Sequence, residues 1–214
     1  MTESTDPDAI QPRAADLWST VVGRRSVRAF STRPVPLHLI ERAIEAAGWA
    51  PSPHGSQPWR FVIVASQERR YALAEAMAVT WRDQLSLDGQ DASEVERRLG
   101  RSMERLQRAP VLILICLYLA DTQEYPDPVR QAAEWTMAVQ SLGAATQNLL
   151  LLLHQQGLDA GWMCAPLFCP EVVRASLGLT DDHHPHALIP VGIAAADPKR
   201  RPRRAVSDLI SAWL

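Results

Sequence analysis

Apolar residues at 37, 40, 44 and 47 of "VPLHLIERAIEAAGWA" (35–50) recur at the spacing of one helix face. The stretch predicts an amphipathic helix that ends at the breaker-rich "PSPHGSQP". "WRFVIVA" (59–65) is an unbroken apolar run rich in β-branched residues and predicts a buried strand. "APVLILICLYL" (109–119) predicts a second strand and "HALIPVGIAAA" (186–196) a last one. The stretch 127–157 predicts a long helix closed by Gly157. At about 1.5 Å per residue it measures roughly 40 Å. Its C-terminal half is apolar on nearly every side, which suits the centre of a domain or a dimer interface.

Shorter helices are expected over 67–79, over 169–177 and over 14–23, the last with Gly23 as its C-cap. Residues 85–107 predict a loop and then a charged helix, with Ser93 and Glu96 as a capping box. "LDAGWMCAP" (158–166) predicts a strand entering a turn. Helices and strands mix without strict alternation, which argues for an α+β domain with one sheet flanked by helices. There is no repeat and no clear linker. The expected layout is a disordered or extended tail over 1–13, then a single domain over 14–214 with an extended basic C-terminal tail.

Composition narrows the function. The chain has 214 residues, 47% of them apolar, enough for a core without disulfides or metals. A formal net charge of −2 gives no global pull toward nucleic acid or an acidic membrane. All basic residues but Lys199 are arginine, which disfavours Schiff-base or P-loop lysine chemistry. Cys116, Cys164 and Cys169 are too few and oddly spaced for a disulfide framework. Cys164 and Cys169 read as small core residues. The N-terminus is no signal peptide, and the longest apolar runs are too short to cross a bilayer. A soluble cytoplasmic protein is the expectation.

Candidate chemistry lies in short polar stretches. Neither G-x-G-x-x-G after a strand nor a P-loop is present, so arginines and serines must hold any phosphate. In "RRSVRAF", Arg24, Arg25 and Arg28 offer bidentate, always-charged donors and Ser26 a hydroxyl. The same residues also suit a solvated charge cluster. In "PSPHGSQPWRF", Pro51 and Ser52 offer backbone groups and a hydroxyl to a planar heterocycle. Gln57 offers a donor and an acceptor suited to a flavin ring edge. The other reading is an ordinary loop before a strand. The turn at Met163, Cys164 and Ala165 presents backbone N–H groups. "HHPH" (183–186) lacks a second ligand cluster and reads as surface histidines rather than metal ligands. "KRRPRR" reads as a solvated tail or a second phosphate contact. Trp81, in a polar stretch, is a candidate ligand face.

Taken in order, "RRSVRAF", "APSPHGSQPWRFVIV", the long helix, "GLDAGWM" and "PVGIAAADPKRRPR" resemble the FMN-dependent nitroreductase family over residues 17 to 204. Within it, "APSPH" with His54, the 80–117 stretch and "YPDPVRQAAEWTMAVQSLGAATQNLLL" (125–151) resemble the C-terminal reductase domain of the enzyme that finishes the deazaflavin coenzyme F(420), which would stand alone here. The resemblance implies a nitroreductase-like fold, a central mixed or antiparallel sheet, and a long helix at the interface of a homodimer. It implies FMN lined by both subunits, with Arg24, Arg25, Ser26 and Arg28 on the phosphate and ribityl oxygens. Pro51, Ser52 and Gln57 would meet the ring edge, and Met163, Cys164 and Ala165 would lie near the flavin N5. Arg200 and Arg201 would complete the phosphate grip. The substrate side would involve His54, Gly55, Trp81 and Arg82, with His54 the one candidate proton donor and no metal. Gly55 stands where relatives often carry Asn, and the "WMCAP" turn differs from the commoner Glu-Gly form. The implied substrate is a small molecule, a dehydro-F(420)-type deazaflavin. The alternatives are a general NAD(P)H-dependent nitroreductase or quinone reductase, a flavin-binding module without turnover, and oxygen-dependent flavin destruction.

Overall fold

The computed structural model describes residues 10–13, 16–198 and 200–214. Most of the N-terminal tail expected over 1–13, and Lys199, lie outside the described residues. Six helices surround a four-stranded sheet: α1 (Leu17–Gly23), α2 (Leu37–Gly48), α3 (Gln67–Leu87), α4 (Ala92–Arg108), α5 (Pro128–Gln155) and α6 (Pro170–Leu177). The strands are β1 (Trp59–Val64), β2 (Val111–Tyr118), β3 (Asp159–Ala160) and β4 (His183–Gly192), in the order β1-β2-β4-β3. Each neighbouring pair is antiparallel.

Central β2 explains why its sequence runs apolar without alternation: both of its faces are covered. Ile113, Ile115 and Leu117 point into a core made with α2 and α5. Leu112, Leu114 and Cys116 point into a second core made with α3 and α6. Edge strand β1 is less covered than its apolar run predicts, and Ile63 is 38% exposed because only β2 pairs with it. Helix α5 has 28 residues, starts at an Asp127 cap and ends before Gly157, close to the expected bounds.

Several local expectations are corrected. Gly23 does not take a left-handed C-cap conformation. A Cβ there would come within 2.8 Å of His154 Nε2. Helix α3 runs through to Leu87 and carries Trp81 inside it, beyond the helix expected over 67–79. Asp91 caps α4, accepting from the Ser93 and Glu94 amides, so Ser93 is no N-cap. Glu96 turns to Arg82 instead. The strand expected over 158–166 shrinks to two residues, followed by an isolated Met163–Leu188 bridge. The 183–186 histidines open β4 half-buried rather than lying on the surface. His183 bonds Asp182, and His184 meets Trp135 edge-on. Cys169 is buried as expected, and burial pushes its thiol up to about 11. Cys164 is exposed, contrary to its reading as core.

Candidate functional site

The 24–28 segment lies along the free edge of β3. Val27 N–H donates to the Ala160 carbonyl at 2.9 Å, and Ser26 makes a parallel bridge with Ala160. Such an approach requires Gly161, where a Cβ would sit 2.5 Å from the Val27 carbonyl oxygen. The strand below is itself fixed. Arg13 binds both Asp159 carboxylate oxygens, at 2.7 and 2.8 Å, and Asp159 accepts from the Ala194 amide at 2.8 Å.

Positive charge gathers on this edge. Arg24 is half-buried, and its Nε has no hydrogen-bond partner. Burial pushes its pKa down, and the Arg203 charge pushes the same way. Arg25 donates to the Pro198 carbonyl at 3.0 Å and pairs with Asp197 at 3.2 Å, yet its Nε is also buried and unpartnered. Arg25 thus anchors the start of the C-terminal tail, which carries exposed Arg200 and Arg201 and brings Arg203 to Arg24. Exposed Arg28 lies close enough to Arg105 of α4 that its charge, with that of Arg101, depresses the already desolvated Arg105. His154 is likewise held below 6.5, first by burial, then by Arg13, with Arg24 and Arg25 adding to it. Arg203 and Arg105 escaped the sequence reading. "KRRPRR" held the signal for Arg203, but nothing in a charged surface helix marks Arg105.

The 51–57 loop is built differently. Residues Pro53–Gly55 form one 3₁₀ turn in which His54 has φ 55° and Gly55 φ 68°, and Gln57 follows at φ 46°. Two non-glycine residues in the left-handed region within four positions mark a strained, over-determined loop. The Gln57 amide donates to Ser52 Oγ at 3.0 Å, which fixes the turn and points exposed Pro51, His54 and Gln57 outward.

The chain does not bring its two halves together. The loop enters β1 at Trp59, opposite Leu117, which is opposite His184. The 24–28 segment sits at Ala160, opposite Val191. Seven residues along β4 and four strand spacings, the last from β3 to the segment itself, put these corners roughly 30 Å apart. Met163 to Ala165 fall on the 24–28 side of the sheet. Met163 bridges Leu188, and a 3₁₀ turn begins at Ala165, where helix-start amides lack intrahelical partners. Trp81 lines a cavity between α3 and α4. Arg82 pairs with Glu96 through its Nε and one terminal nitrogen, at 2.7 and 3.2 Å.

The nitroreductase-family profile matches residues 21–193. The chain belongs to the nitroreductase family. It is an oxidoreductase of that family by descent, and its fold agrees. The iodotyrosine deiodinase of Haliscomenobacter hydrossis is 27% identical over 203 residues, spanning 89% of this chain and 84% of that protein. A BluB-like flavoprotein from Clostridium difficile 630 superposes with a TM-score of 0.77 at 22% identity, covering 94% of this chain and all of that one. The FMN-dependent nitroreductase NfnB from Mycobacterium smegmatis, solved with NADPH, gives 0.73 at 21% identity over 92% of this chain and 97% of its own. The last two likenesses establish the shared fold. Among the described residues no helix is long and apolar enough to cross a membrane.

Proposed function

We propose that this chain is an FMN-dependent oxidoreductase that acts as a homodimer. The observation that carries this reading is the unbalanced charge at the 24–28 corner. Two half-buried arginines keep partnerless Nε atoms there, and Arg203 repels one of them. A phosphate dianion supplies the missing counter-charge and the missing acceptors. The residues therefore fit the cofactor's phosphate, with Arg24, Arg25, Ser26 and Arg28 as the cradle and Arg200, Arg201 and Arg203 closing it from the tail. The Met163–Ala165 turn offers its backbone beside the ring.

The second half of the grip explains the dimer. Pro51, Ser52 and Gln57 stand too far from the cradle in their own chain and reach a flavin only from a second copy. Leu17, Trp18 and Trp49 stay largely exposed beside α5 and give that copy an apolar face. Bound FMN supplies hydride chemistry at its N5. The protein's share is to exclude water, orient the substrate and place a proton. His54, held outward by its strained turn, is the group we assign to that proton or to an anionic substrate.

The substrate we favour is a dehydro-F(420)-type deazaflavin, in which a C=C bond conjugated to a carboxylate takes up a hydride and a proton. Its support is the resemblance of "APSPH" and the 80–117 stretch to the F(420)-finishing reductase domain, together with the cationic corner. The family match also favours a second reading, a general NAD(P)H-dependent nitroreductase or quinone reductase. Absorbance at about 450 nm in the purified protein tests for flavin. Stopped-flow reoxidation of the reduced protein by dehydro-F(420) against nitrofurazone separates the two readings. Faster reoxidation by dehydro-F(420) supports the first, and reoxidation by nitrofurazone alone supports the second. If neither acceptor outpaces buffer, the chain is a flavin-binding module, and bleaching under oxygen points to flavin destruction.

A further inference from the structure

A cavity of about 670 Å³ opens between α3, α4 and the 3₁₀ turn that follows Cys164. Trp81 and Phe168 contribute aromatic wall, and Phe168 is 65% exposed. Arg98, Arg101 and Arg105 line it from α4 at positions i, i+3 and i+7, which is one helix face. Arg98 is already paired with Glu94 at 2.8 Å. Arg101 and Arg105 have no acidic partner among the described residues. Asp88, at the end of α3, is the single carboxylate in the lining. With Arg98 paired, two unpaired guanidinium groups against one carboxylate leave the cavity cationic. Ser102 and Gln84 add neutral polar groups, and the Gln84 amide is spent on the Phe168 carbonyl at 2.8 Å, which ties the α3 wall to the turn.

We infer that this cavity binds a ring-bearing ligand with two or more negative charges, its ring against Trp81 and Phe168 and its anionic groups on Arg101 and Arg105. This rests on the flavin reading above, because the same 3₁₀ turn carries Ala165 and Arg105 adjoins Arg28, so the cavity opens beside the proposed cofactor. An aromatic wall facing two unpaired guanidinium groups selects a planar polyanion over a neutral ring. The dense charge has two sources, the carboxylates of the oxidising substrate or the extra phosphate of a phosphorylated nicotinamide donor. Arg82, the cation expected here from the sequence, is locked to Glu96 and has no part in it.

Calorimetric titration of the whole protein tests this with 5-nitroisophthalate against neutral 4-nitrobenzamide, and with adenosine 2′,5′-bisphosphate against adenosine 5′-monophosphate. We expect at least one more highly charged probe to bind about tenfold more tightly than its counterpart. The probe pair that shows the preference identifies the source of the charge. R101Q/R105Q erases the preference while flavin content and Tm stay unchanged, and R101K/R105K retains it. Equal binding within each pair, or a preference that survives R101Q/R105Q, overturns the inference. Loss of flavin in R101Q/R105Q also overturns it, because the arginines then belong to the cofactor grip. A wild-type protein without flavin defeats the functional reading alone, since the calorimetric preference is measured independently of it.

Discussion

The 24–28 segment and the 51–57 loop are the two halves of one proposed grip, yet they are held in opposite ways. The first is clamped by long-range contacts: a β3 carbonyl, a glycine below it and an ion pair under that. The second is shaped by itself, through left-handed residues and one hydroxyl within the loop. The half that this chain completes for itself is rigid because the sheet edge dictates it. The half offered outward is rigid because its own backbone is strained, which keeps it in shape without support from the rest of the fold.

The largest way to break the clamp is Gly161→Ala. The new Cβ would press on the Val27 carbonyl at 2.5 Å, and neither backbone can yield cheaply. A loss of about 2–3 kcal/mol in chemical denaturation and loss of flavin from the purified protein are expected. Full flavin retention would mean the clamp is not what places Arg24 to Arg28. Arg24→Gln comes next and separates binding from stability. It removes a desolvated, repelled charge, so Tm holds or rises while flavin binding weakens by about 2 kcal/mol. A fall in Tm equal to the loss in affinity would make Arg24 structural.

The loop answers to smaller changes. Ser52→Ala leaves the Gln57 amide without its acceptor and is expected to cost about 1 kcal/mol, read by thermal unfolding. Gln57→Gly relieves the backbone strain at φ 46° and is expected to change stability by under about 1 kcal/mol while loosening the loop. Flavin affinity should then drop although the fold is no weaker. The smallest effect concerns pH and belongs to the clamp. His154 has its folded pKa below its ordinary 6.5, so the unfolded chain takes up a proton first as pH falls. Stability is therefore full above about pH 6.5 and declines below it. His154→Gln should flatten that slope in denaturation curves taken between about pH 7.5 and about pH 5.5, about one unit on either side of 6.5.

Much of this was legible along the chain. Strand β2, helix α5 and the ends of α2 follow from apolar spacing, because both faces of β2 and one face of the α5 C-terminal half are buried, the rest of that half being half-buried. The positions of Arg24 to Arg28 and of 51–57 were legible as motifs. Their separation across the sheet was not, since motif order carries no strand order. Helix ends were misread where a better cap lay nearby, as Asp91 displaced Ser93. The partner of Arg82 was hidden because an ion pair between two surface helices has no periodic signature. The exposed state of Cys164 reflects a strand that ends two residues in, a length that side-chain pattern does not encode.

The contact between Val27 and Ala160 joins residues 133 positions apart, and the one between Arg13 and Asp159 spans 146. A ribosome adding about 5–20 residues per second exposes residue 160 on the order of ten seconds after residue 27. The early helices and the β1–β2 pair can assemble while synthesis continues, but the cradle has no floor until "GLDAG" emerges. On the proposed reading, cofactor capture would therefore come late in the life of the nascent chain, and a chain that stops short of residue 160 has no edge on which to build the proposed arginine grip.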